Sequence, residues 1–243
     1  MPSQDGVCSL RAHKQDTTMK TSTLLAGIAA ITFASAGTAG AALTIASSAW
    51  PPVLDPTGAA GYTLSGPTPT FITGGVTVTL NSALLRTIAP INIVPAGANE
   101  IANFSANMDA VGDVIPLATN VPSSSSGAGS MVTFGKAGNV TGTFNTEMLA
   151  LNLSGTTALG PFMLRESPTL VSPGSTTITN LNGTLFRIDS FFDVFTELSL
   201  DGGATWAPNT NGPMRMTLQG VPEPTAAAFA GLAALGLLRR RRA

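Results

Sequence analysis

Apolar and polar residues alternate with a period of two at intervals along this chain, and between its two ends no long helical period interrupts them, which confines the fold to sheets. The pattern is plain in Val76-Thr77-Val78-Thr79-Leu80 and in Met214-Arg215-Met216-Thr217-Leu218-Gln219. It is plain again in Met148-Leu149-Ala150-Leu151-Asn152-Leu153, where Leu149, Leu151 and Leu153 are expected to share one face. Between such runs stand Pro67-Thr68-Pro69, Pro95-Ala96-Gly97 and Pro122-Ser123-Ser124-Ser125-Ser126-Gly127, which read as turns and loops, the last a flexible one. Short strands with this punctuation predict an all-β body over residues 43–220, a single β-sandwich or jelly-roll-like domain.

The strongest block runs from Leu185 to Trp206. Alternation puts Phe186, Ile188, Phe192, Val194, Leu198 and Leu200 on one face with Ser190 and Thr196, and Arg187, Asp189, Asp193 and Glu197 on the other with Phe191 and Phe195. One strand of that length is unusual, so a bulge or bend is expected near Asp189 to Asp193, turning Phe191 and Phe195 inward.

The two ends read differently. Residues 1–18 are polar, and the start is expected at Met19. From there an apolar stretch closing on Ala39-Gly40-Ala41-Ala42 has the layout of a signal peptide over 19–42, forming an N-terminal signal helix cut after Ala41 or Ala42. At the other end Val221-Pro222-Glu223-Pro224 precedes an apolar run, Thr225 to Leu238, and the block Arg239, Arg240, Arg241 and Arg242. The run is 14 residues, a short transmembrane helix of about 21 Å against a hydrocarbon core of about 30 Å, with the arginines on the cytoplasmic side. In all three parts this tail resembles the PEP-CTERM sorting signal of secreted bacterial proteins. The resemblance implies export by the general secretion machinery and recognition by an exosortase-type membrane protease near Pro222 to Pro224. It also implies passage through the membrane by the C-terminal helix before processing, and delivery to the cell surface or extracellular matrix. The runs Gly142–Gly155 and Ser190–Ser199 are similar to blocks of uncharacterised PEP-CTERM proteins, which implies a shared fold and no assigned reaction.

Processing would alter the chemistry of the body. The single cysteine, Cys8, and the single histidine, His13, both precede the leader. A body lacking both has no disulfide, no thiolate nucleophile, no Ser-His-Asp triad and no zinc site built on Cys or His. From Leu43 to Gly220 five basic residues stand against ten acidic ones, a balance of 5 − 10 = −5, which leaves no electrostatic footprint for nucleic acid.

Ser199-Leu200-Asp201-Gly202-Gly203-Ala204-Thr205-Trp206 resembles the Asp-box of sialidases and other β-proteins. The resemblance, carried by Ser199, Asp201, Gly203, Thr205 and Trp206, implies a folded hairpin corner in which Asp201 bonds turn amides, the glycines take positive φ and Trp206 packs under the turn. Occurring once, it implies no activity. Asp189, Asp193 and Glu197 are candidates for paired carboxylates in glycoside hydrolysis, but four residues of strand separate neighbours by about 13 Å, so a bend would be needed. Asp189, Asp193 and Asp201 are the calcium candidates, oxygen ligands of the kind that ion takes, and no other cofactor is indicated. Trp50, Tyr62 and Trp206 could stack on sugars, with core packing expected for at least two of them. The sequons at Asn103, Asn139, Asn152 and Asn182 are what a Thr- and Asn-rich chain produces by chance. The expectation is a non-enzymatic surface or matrix protein with extracellular polysaccharide as its candidate partner; a glycan- or calcium-binding module and a carboxylate-dependent polysaccharide enzyme are the alternatives.

Overall fold

Alternating side chains need a partner surface on only one face, and here hydrogen bonding joins every strand into one large antiparallel sheet. The computed structural model describes residues 42–220, all-β with no helix among them. The leader, but for its last residue, and the tail with Val221 to Pro224 and Arg239 to Arg242 lie outside the described residues. In chain order the strands are β1 (Leu43–Ile45), β2 (Gly61–Leu64), β3 (Thr70–Thr73), β4 (Val76–Ala96), β5 (Asn99–Ile115), β6 (Ala118–Thr133) and β7 (Gly142–Thr157). There follow β8 (Gly160–Glu166), β9 (Ser172–Asn180), β10 (Phe186–Val194), β11 (Thr196–Ser199), β12 (Ala207–Pro208) and β13 (Met214–Gln219).

The four long strands β4 to β7 pair in succession. Along its free edge β7 then pairs β9 over Gly142–Met148 and β8 over Asn152–Thr157. From β9 the ladder continues through β10, β13 and β2 and returns to β4 at Tyr62↔Leu85, so eight strands close a circuit. The remaining strands extend it: β8 pairs β11 and β11 pairs β12, while β3 pairs β4. The chain leaving β12 is tied to β3, Thr210 N donating to Thr70 O at 2.8 Å and Thr70 N to Asn209 Oδ1 at 2.8 Å.

A closed circuit has one inside, and the buried apolar residues fill it. Tyr62, Leu85, Phe104, Met131, Phe192 and Met216 meet with others around a residual void of about 10 Å³, room for no more than a single water. The ring of Tyr62 sits 5.7 Å from that of Phe192, tilted by 58°, an edge-inclined contact favoured by aromatic quadrupoles.

Three local expectations are corrected. The Leu185–Trp206 block does break, but at Phe195. Its amide donates to Ser172 Oγ and its carbonyl accepts from Ser167 N, so the chain leaves the β9 and β13 ladders there and joins β8. Phe191 and Phe195 stay half-buried on the outer side. Leu149 is 43% exposed, because a bulge opposite Ser130 and Met131 skips it and returns Leu151 and Leu153 to the core. Finally, Pro122 to Gly127 is strand: all of it pairs with β5, and Ser124 to Gly127 pair with β7 as well. Its residues are small because neighbours approach closely. A Cβ at Gly127 would overlap Asn152 O, and one at Gly129 would lie 2.5 Å from the Phe104 ring.

Candidate functional site

The β11–β12 connection is built by side chains bonding their own turn. Ser199 Oγ donates to Asp201 Oδ1 at 2.7 Å and accepts Gly203 N at 2.8 Å. Thr205 brings its amide to Asp201 Oδ1 at 2.9 Å and its hydroxyl to Oδ2 at 2.6 Å. Gly202 and Gly203 hold φ of 73° and 91°, a region that side-chain-bearing residues avoid, so this corner requires glycine. Trp206 lies against Gly203 and donates from Nε1 to its carbonyl at 3.0 Å. Hydrogen bonds from Thr205 and Ser199 favour the ionised form of Asp201 and hold its pKa down at about 2.

The outer face of the Leu185–Trp206 block is a row of paired charges. Arg165 stacks its guanidinium 3.9 Å above the Trp206 ring and donates twice to Glu197 Oε2, at 2.9 and 2.7 Å, while Ser167 Oγ donates to Oε1. Arg215 stacks 4.0 Å over Phe191 and reaches Asp193 at 3.2 Å. Arg187 pairs Asp189 at 3.0 Å. The structure therefore supplies Asp189, Asp193, Glu197 and Asp201 each with its own donors. Among the described residues no three Asp, Glu, His or Cys side chains converge where a metal ion could be held. Trp50 and Tyr62 are in the core, and Trp206 offers one ring face to Arg165.

Glu166 is the one carboxyl pushed upward among the described residues. Burial is the main cause, partly offset by the hydroxyl of Ser172 at 3.1 Å and reinforced by the charges of Glu147 and Glu197. A raised carboxyl suits a general acid, but among the described residues Glu166 lines neither of two large concavities.

Those concavities were not anticipated. One is an open trough of about 840 Å³ on the outer face, where Thr63, Leu84, Asp109, Ser124 and Thr156 stand in register across β2, β4, β5, β6 and β7. The other is an inward-facing chamber of about 420 Å³ beside the Asp201 turn, walled by β4, β5, β6, β8 and β11. The period-two pattern carried a signal for the chamber, since Val76, Val78 and Leu80 sit on one face of β4, but nothing local indicated that no aromatic ring would fill the space between walls. Comparison with family models, with curated proteins and with solved structures found no match.

Proposed function

We propose that the chain is exported, sorted to the cell surface or matrix by an exosortase-type protease acting near Val221 to Pro224, and serves there as a non-catalytic structural or interaction domain. The sorting half rests on the tail sequence. The non-catalytic half rests on one observation: the carboxylates that could have formed an acid–base pair are each engaged, Asp189, Asp193 and Glu197 by arginines and Asp201 by its turn. On the same reading the eight-strand circuit is a flattened, sandwich-like barrel with the long strands as one wall.

Mass spectrometry of the body recovered from cells and medium, with and without the host's sorting protease, tests the sorting. A C-terminus near Pro222 to Thr225 that depends on the protease is expected; an intact tail retaining Arg239 to Arg242 in the membrane would instead make this an anchored envelope protein. Glycan binding is the second reading, favoured by the open trough, where the hydroxyls of Ser82, Ser124 and Thr156 stand with Asp109 among apolar residues. Ser124→Trp, placed in the middle of that row, should abolish retention on extracellular polysaccharide if the trough is the binding face.

A further inference from the structure

The interior is filled where the eight-strand circuit closes and hollow where β8 and β11 extend the sheet beyond it. Around Phe104 and Phe192 rings and methionines leave only about 10 Å³. Toward the Asp201 turn the inward positions are Val76, Val78, Leu80, Val114, Leu164 and Leu198, and about 420 Å³ stays open. The hollow is walled by β4, β5 and β6 of the circuit and by β8 and β11 beyond it, and its volume lies in the ~300–1,000 Å³ range of small-molecule sites. The rim is apolar as well: Leu117, Leu159 and Leu200 are 62%, 46% and 37% exposed, apolar surface that the fold itself leaves wet.

The lining decides the ligand's chemistry. It contains no lysine or arginine, so an anionic head group would be desolvated without a partner. Its one charged side chain is Asp201, whose oxygens already accept three hydrogen bonds from Ser199 and Thr205; it would repel an anion, and its engagement by the turn makes it a weak partner for a cation. Phe162 is the single aromatic in the wall, so flat rings find little to stack on. The hydroxyl of Thr73 can donate to a neutral oxygen, and those of Ser123, Thr157 and Thr205, which donate to Ala110 O, Gly160 O and Asp201 Oδ2, keep lone pairs that can accept from a ligand's hydroxyl. We propose that this chamber binds one uncharged aliphatic molecule, an alkyl chain bearing at most a hydroxyl or ester oxygen, with its tail toward Leu164 and its oxygen among the threonines. The inference stands apart from the sorting reading, since it concerns the body whether or not the tail is cut.

Calorimetric titration of the full chain with 1-decanol tests it, with decanoate at pH 7 as the charged comparator. Saturable one-to-one binding of decanol is expected, with decanoate weaker by at least about tenfold. Val114→Phe, which fills the chamber, should eliminate binding. Leu117→Asp, on an exposed rim position where the fold has little at stake, should weaken it by at least about tenfold. Absence of saturable decanol binding, equal affinity for decanoate, or binding unchanged by Leu117→Asp would each overturn the proposal. So would flotation of the protein on neutral phosphatidylcholine vesicles without decanol binding, which would assign the apolar rim to a membrane surface.

Discussion

Asp201 and Glu166 lie about thirty-five positions apart in sequence and respond to pH in opposite senses. Asp201 has its pKa lowered to about 2, so its turn is stabilised at pH values above the ordinary carboxylate range, and the contribution disappears as pH falls through about 2. Thermal melts of Asp201→Asn should show a lower Tm at pH 7 and a flatter Tm profile between pH 4 and 2 than the parent. Glu166 has its pKa raised, so folding favours its protonated form, and stability is lost as pH rises from the ordinary carboxylate range through its folded value. Glu166→Gln keeps an acceptor for Ser172 and removes the charge; it should melt higher than the parent at pH 7 and match it at pH 4. A parent profile with no decline on the alkaline side of the carboxylate range would refute the burial argument for Glu166. The chelator response belongs to the same scale: with Asp189, Asp193 and Asp201 each supplied with donors, the Tm should be the same in calcium and in chelator.

At the scale of the strand, two leucines two positions apart should behave unlike each other. Leu151→Ala, at a fully buried site, should cost about 2–5 kcal/mol in denaturant unfolding, whereas Leu149→Thr, on the bulge, should fall within about 0.5 kcal/mol of the parent. Gly127→Val should destabilise by about 3 kcal/mol or prevent folding, because Asn152 O occupies the space its side chain needs. These positions also mark where sequence reading succeeds and stops. Alternation identified the inward faces of β10 and β13 residue by residue, since burial on one side enforces a period of two. It placed Leu149 wrongly because a bulge is set by the partner strand, and it took Pro122 to Gly127 for a loop because a run of serines and glycine looks the same whether it is wet or pressed between two backbones. The Ser199 to Trp206 corner was legible because all its bonds are local. The Arg165 to Trp206 stack and the chamber were not, because their parts meet only after distant strands pair.

At the scale of the molecule, closure accounts for how a body with so few ionic groups stays ordered. Each wall of the circuit covers the apolar face of the wall opposite, and hydroxyls and a few paired charges occupy the outside. The path through the sheet ends at β1 and β12, of three and two residues. The stretch of β4 beyond Ile88, which ladders only with β5, carries Pro90 and Pro95 on its outer edge. Short ends and prolines offer incoming backbones almost nothing to pair with. Copies crowded together at high local density would therefore touch side chain to side chain, and could pack closely without zipping into fibrils.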